Sequence, residues 1–232
     1  MSGAAPSRIV VLGSPGSGKS TFCHALAAAT GLPLIHLDDL YWRPQWRRTP
    51  AEEWERLVER LAAGPYWIID GNFADTVRHR VERADTVVLF DRHPWLCAAS
   101  LVRRSLRLRR DSALGRGHRD YVPGGLAAHD PPVRSLAALV RKALGFRGRE
   151  LRAMGPLLAR TSAPVLRCGS RREQARLLRR LSAEARRVPD RSVPPEPGAV
   201  CACAEGRDGT GTSGLPAARA GHARTPAQER SA

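Results

Sequence analysis

From residue 8 to residue 183 short apolar runs alternate with amphipathic stretches, and this alternation predicts strands and helices in turn. Residues 8–12 (RIVVL) are apolar at nearly every position, as a strand buried on both faces requires. Residues 20–30 carry Phe22, Leu26 and Ala29 on one face at helical spacing. Residues 33–37 (PLIHL) predict a second strand ending at Asp38-Asp39. Thr49-Pro50-Ala51-Glu52 reads as a capping box with proline at the first helical position, and the helix after it aligns Trp54, Leu57, Val58 and Leu61. Residues 66–69 (YWII) predict a third strand, running into Asp70-Gly71-Asn72. A short helix leads to a fourth strand at 86–90 (TVVLF), followed by Asp91. A long helix is predicted from about 94 to 110, its stripe of Trp95, Ala99, Val102 and Leu106 facing inward and Arg103, Arg104, Arg107 and Arg110 largely off that stripe. Residues 164–168 form a fifth strand, and Ser170-x-x-Glu173 caps a last helix with Leu177, Leu178 and Leu181 inside.

Apolar strands alternating with helices imply an α/β fold, a parallel sheet covered on both faces. The stretch 111–149, rich in Gly, Pro and Arg, is irregular and sits where a mobile, lid-like flap would be inserted. Residues 1–187 are expected to form one domain, and 188–232, almost free of large apolar side chains, a disordered tail. No run of 18 apolar residues occurs and the first residues lack the pattern of a secretion signal, so no membrane partner is expected. The five cysteines, Cys23, Cys97, Cys168, Cys201 and Cys203, are odd in number and scattered, which favours reduced thiols and a cytoplasmic location.

Charge sharpens the picture only in part. The net charge is +16, and residues 101–187 carry the whole excess with 22 basic and 6 acidic groups. Such a stretch attracts nucleic acid or polyphosphate, or is the solvated face of arginine-rich helices; charge alone does not choose.

The chemistry begins at 13–20. Gly13-Ser14-Pro15-Gly16-Ser17-Gly18-Lys19-Ser20 matches G-x-x-x-x-G-K-[ST], lying between a predicted strand and a predicted helix. A loop so placed aims backbone N–H groups and the positive end of a helix dipole at phosphate oxygens. Gly13, Ser14, Gly16, Ser17, Gly18, Lys19, Ser20 and Thr21 are therefore the expected binding residues for the phosphates of ATP or GTP, with Lys19 reaching the outer phosphates and the Ser20 hydroxyl binding Mg²⁺. Of 38 basic residues only Lys19 and Lys142 are lysines, so the compact ammonium stands where a phosphate pocket suits it. Phosphoryl transfer also needs an acid near the metal at the end of a neighbouring strand; Asp70 is the better candidate, with a tight turn after it, and Asp91 the alternative. Asp38 or Asp39 could take a proton from an acceptor hydroxyl, with Tyr41, Trp42 and Trp46 as one wall of the pocket. Arg104 and Arg107, with Arg110 behind them, are candidates to clamp the transferring group.

With GSPGSGKST at 13–21, LPLIHLDDLYWRPQWRRTP at 32–50, WIIDGNF at 67–73 and the run from Arg80 through Ala84-Asp85 to Phe90-Asp91, the chain resembles the P-loop kinases related to adenylate kinase. More narrowly, it is similar to the bacterial topology modulation protein group. The match covers about 7–110, and 164–183 loosely. It implies a three-layer P-loop fold with five parallel strands in the order 2-3-1-4-5, ATP on the loop, an acceptor pocket beside the second and third strands, and an arginine-bearing lid. By that resemblance Asp70 sits near the metal and Asp38 faces the acceptor. The chain departs from the group between 111 and 150, where Gly124-Gly125 is followed by Leu126-Ala127-Ala128 and no aromatics occupy 136–144.

Three functions follow as expectations: Mg²⁺-ATP-dependent phosphoryl transfer to a small acceptor such as a nucleotide or a hydroxylated metabolite; an ATP-binding protein associated with nucleic acid through 101–187; or a nucleotide sensor that transfers nothing. No guanine-reading motif occurs, and neither acceptor nor oligomeric state is written in the sequence.

Overall fold

The computed structural model describes residues 6–116 and 120–185. In chain order its strands are β1 (Arg8–Gly13), β2 (Leu34–His36), β3 (Trp42–Arg43), β4 (Arg47–Arg48), β5 (Trp67–Asp70), β6 (Thr86–Phe90) and β7 (Val165–Cys168). The helices are α1 (Lys19–Thr30), α2 (Leu37–Tyr41), α3 (Ala51–Ala63), α4 (Val77–Val81), α5 (Pro94–Ala113), α6 (Leu136–Gly145), α7 (Arg152–Arg160) and α8 (Arg171–Ala185).

Five strands make one sheet in the order β2-β5-β1-β6-β7, every pairing parallel. Counted along the chain within this sheet, that is second, third, first, fourth, fifth. β3 and β4, which the sequence pattern did not predict, pair antiparallel as a separate hairpin.

The strands' apolar character is explained by their two-sided burial. Side chains alternate across a strand. Val10 and Leu12 of β1 join Ile69, Val87 and Leu89 in one layer, packed on Trp54 and Val58 of α3, Val77 and Val81 of α4 and Met154 of α7. Ile9 and Val11 join Ile68, Val88 and Phe90 in the other, packed on Phe22 and Leu26 of α1 and on Leu177 and Leu181 of α8. A third cluster, Cys97, Leu101 and Ala143, joins α5 to α6. Cys23, Cys97 and Cys168 are buried free thiols; Cys201 and Cys203, like the expected tail 188–232, lie outside the described residues.

Four expectations need correction. The second strand stops at His36, and Asp38 and Asp39 lie in the first turn of α2 rather than in a strand-end turn, where their charge suits the positive helix end. Thr49 forms no capping box: its hydroxyl donates to the Leu40 and Tyr41 carbonyls (3.0 Å each), so it closes the C-terminal end of α2 while Pro50 precedes α3 without a side-chain cap. On α5 the buried residues are Cys97, Ala98, Leu101, Ser105 and Leu108, and the stripe expected inside is exposed. The flap is shorter than 111–149: α5 runs to Ala113, α6 packs on α5, and the irregular parts among the described residues of that stretch before α6 are 114–116 and 120–135. By contrast, the Ser170–Glu173 box forms in full, Glu173 accepting from the N–H groups of Gly169 (2.6 Å) and Ser170 (3.2 Å) while Ser170 accepts from that of Glu173 (3.2 Å).

Candidate active site

β1 delivers the chain to the loop 13–18, and α1 leaves it. Gly18 precedes α1 with φ of 99°, a left-handed conformation that favours glycine, and no side chain caps the helix or places a carboxylate in its first turn. The first N–H groups of a 12-residue helix therefore keep their affinity for an external anion. Gly16 (φ 75°) has a further reason to be glycine: a Cβ there would lie 2.5 Å from the Cys97 carbonyl oxygen and 2.8 Å from Leu101 Cγ, because the loop rests on α5.

Two groups brace this loop from the β5 side. The Asn72 amide pairs with both polar atoms of Gly13, Nδ2 donating to its carbonyl and Oδ1 accepting from its N–H, each at 2.9 Å. Arg80, fully buried, donates to the carbonyls of Gly71 (2.6 Å), Asn72 (2.8 Å) and Phe73 (3.2 Å), fixing the turn that presents Asn72. Burial pulls the Arg80 guanidinium down to about 9, against the opposing charges of Asp75 and Asp70. Neither brace was assigned a role from the sequence, although both residues sit in the stretches that carried the resemblance. A bidentate amide leaves no periodicity; an arginine in a short helix reads as a surface charge until the fold buries it.

Lys19 lies back over the loop, its ammonium donating to the Gly13 (2.8 Å) and Ser14 (3.0 Å) carbonyls. Ser20 and Asp70, 50 residues apart, meet: the hydroxyl donates to Asp70 Oδ2 at 3.0 Å. Asp70 Oδ2 also lies 3.1 Å from His36 Nδ1, and His36 Nε2 lies 3.3 Å from His24 Nε2. Burial pushes the Asp70 carboxyl up, but the His36 hydrogen bond, the Lys19 and His36 charges and the Ser20 hydrogen bond outweigh it and hold the group below its ordinary value.

The other oxygen, Asp70 Oδ1, is buried with no hydrogen-bond partner among the described residues. An ionised carboxylate with an orphaned oxygen beside a serine hydroxyl is a hard-oxygen donor set of the kind Mg²⁺ takes. Among the described residues no three His, Cys, Asp or Glu side chains gather into a metal cluster. Asp91, the alternative acid, is engaged elsewhere: Arg147 Nε donates to it at 2.7 Å and Arg167 stands 3.9 Å away.

In α2, Asp38 is half-buried, and its carboxyl is raised by burial and by the negative charge of Asp70, against the pull of Lys19. Asp39 turns to the flap instead, accepting from the Tyr121 hydroxyl and the Gly124 N–H at 2.6 Å each. Tyr121 stacks on His36 with ring centroids 4.5 Å apart, so the flap reaches the Asp70 network.

Arg104 and Arg107, one helical turn apart, part company. Arg104 is half-buried, donates to the Tyr121 carbonyl at 2.9 Å, and keeps a buried Nε with no partner among the described residues; burial lowers its guanidinium, against the opposing charges of Asp120 and Asp38. Arg107 is exposed and paired with Asp120 through two hydrogen bonds of 3.0 Å. Of the aromatic wall, Tyr41 packs into a cluster with Trp54 and Phe73, centroids 5.0 and 4.7 Å away. Trp42 and Trp46 pair on the β3–β4 hairpin, and Trp46 donates to the Pro131 carbonyl at 2.9 Å.

No protein-family model matches the chain. Nor does any curated protein match it. Among solved structures it is similar to a shikimate kinase from Bacteroides thetaiotaomicron, with 16% sequence identity, a TM-score of 0.45, and coverage of 77% of this chain and 98% of that one. It is also similar to a gluconokinase from Sinorhizobium meliloti 1021, at 23% identity and a TM-score of 0.34 over 68% of this chain and 99% of that one.

Proposed function

We propose that this chain transfers the γ-phosphoryl group of ATP to a small acceptor carrying a hydroxyl or phosphate, such as a nucleotide or a hydroxylated metabolite. The observation that carries this reading is the meeting of Ser20 and Asp70 at 3.0 Å beneath a glycine-rich loop that ends in Lys19, with one Asp70 oxygen unengaged. Backbone N–H groups of 13–18 and of the first turn of α1 hold the phosphates. Ser20 and Asp70 would hold Mg²⁺, which would supply neutralisation of phosphate charge when bound. Lys19 exchanges the loop's carbonyls for phosphate oxygens and stabilises the charge that grows on them during transfer. Asp38 takes the proton that an acceptor hydroxyl loses as its oxygen bonds to phosphorus. Arg104, half-buried beside Tyr121, orients an anionic part of the acceptor; Arg107, bound to Asp120, is left to support the flap.

Mg²⁺-ATP turnover, followed as ADP release with a panel of nucleoside monophosphates and small hydroxy compounds, tests this reading. Stimulation by one small acceptor is expected, and Lys19→Ala is expected to lower that rate by about 10²–10³-fold. Unchanged turnover in the variant removes the mechanism. Stimulation only by duplex DNA, or tight ATP binding with no release under any condition, supports the nucleic-acid or sensor role instead.

A further inference from the structure

α5 has two apolar faces, and among the described residues only one is covered. Inward, Cys97, Ala98, Leu101 and Leu108 are buried, with Cys97 and Leu101 packed against Gly16 of the loop and Ala143 of α6. Outward, Trp95 is 66% exposed, Leu106 60%, Leu96 53% and Val102 39%, with Ala99 exposed among them. At about 100° per residue, Trp95, Ala99, Val102 and Leu106 fall on one line about 16 Å long. Leu114, also exposed, follows just past the helix end. A large apolar face of this kind on a chain's surface marks something that covers it.

The charges around this line select among occupants. Arg103 and Arg110 run along one side of it and Arg109 along the other, all exposed. The only carboxylate on α5, Asp111, lies off the line near Arg107. A second copy of the chain packed face to face would set these arginine rows against each other. Duplex nucleic acid would satisfy the arginines and leave Trp95, Leu96 and Leu106 in water. An anionic lipid surface satisfies both: the apolar side chains enter the headgroup–acyl boundary while the arginines reach phosphate groups at the same depth. The excess of 22 basic over 6 acidic groups in 101–187 adds attraction at longer range.

We infer that the outer face of α5 docks the protein onto an anionic phospholipid surface. The helix lies in the plane of the interface and does not cross it, and no described helix is long and apolar enough to cross a membrane. This departs from the expectation of no membrane partner, which rested on the absence of a spanning run. It does not depend on the phosphoryl-transfer reading, which gives no role to Trp95, Leu96, Val102 or Leu106.

The test is co-sedimentation of the full chain with vesicles of phosphatidylcholine containing roughly one third phosphatidylserine, in about 0.1 M salt. Binding is expected with these vesicles and not with phosphatidylcholine alone, accompanied by a blue shift of Trp95 emission. Trp95→Ser with Leu106→Ser should weaken binding by about tenfold or more, and Arg103→Gln with Arg110→Gln should weaken it and flatten its salt dependence. These side chains are exposed, so all variants should keep the wild-type melting temperature, and Leu96→Ser with Val102→Ser serves if one pair does not. Lys19→Ala should bind vesicles as the wild type does, so loss of turnover and loss of docking are separable. Absence of binding to anionic vesicles overturns the proposal. So does binding indifferent to the Trp95 and Leu106 changes, which would be charge adsorption, and so does a stable dimer that Trp95→Ser dissolves, which would assign the face to a second copy.

Discussion

Asp38 and Asp70 differ in what surrounds them more than in how far they are removed from water. Burial raises both, but Asp70 has a histidine, a lysine and a serine hydroxyl to hold its charge, whereas Asp38 has Asp70's negative charge as its second influence. A carboxyl raised in the folded state binds its proton there more readily than in the unfolded chain. The folded state therefore loses stability as pH rises from the unfolded value through the folded one, and the penalty is complete above both. Asp38→Asn should accordingly melt higher than the wild type at pH 7, with the difference closing as pH falls below the ordinary carboxylate range, while acceptor-stimulated turnover is lost. A variant that melts lower at pH 7 would show that Asp38 is a structural acceptor and not a poised base.

Among elements, α2 and the flap are the least regular and the most interdependent. Asp39 holds Tyr121 and Gly124, and Gly125 sits so close beneath that an added Cβ would press on the carbonyl oxygens of Trp42 and Asp39. Gly125→Ala should cost about 1–3 kcal/mol in urea unfolding through overpacking and lower kcat as the flap is displaced. Gly124→Ala is the matched control: its Cβ would stand 3.6 Å from the Asp39 carboxylate, an ordinary contact, and should change little. None of this was legible in the sequence, where 111–149 showed only Gly, Pro and Arg, because the contacts join residues about 80 positions apart and carry no period. The sheet strands were legible to within a residue or two because double burial makes them apolar throughout. The loop's place between β1 and α1 and Asp70's place at a strand end were legible because the motif is local and the strand before Asp70 is apolar. α5 was legible as a helix but not in orientation: it has two apolar faces, and periodicity finds a face without saying which way it points. The small Cys97, Ala98 and Leu101 side turned inward because Gly16 lets the loop approach that closely.

At the scale of the whole molecule, cations are concentrated in 101–187, while the loop region supplies its own charge through Lys19. An ammonium has three N–H donors, and two of those of Lys19 rest on the Gly13 and Ser14 carbonyls, leaving one in reserve among the described contacts. The loop is meanwhile held from both sides, by Asn72 and by the α5 backbone beneath Gly16. On the proposed reading the loop's backbone is pre-shaped for a polyphosphate, and the Lys19 side chain alone changes partners on first contact. The consequence is kinetic. In stopped-flow mixing with a fluorescent ATP analogue, the observed association rate should rise linearly with analogue concentration and fall as ionic strength increases, as for capture limited by encounter. A rate that levels off at high concentration would mean that the loop must first open, and that its braces act as a latch.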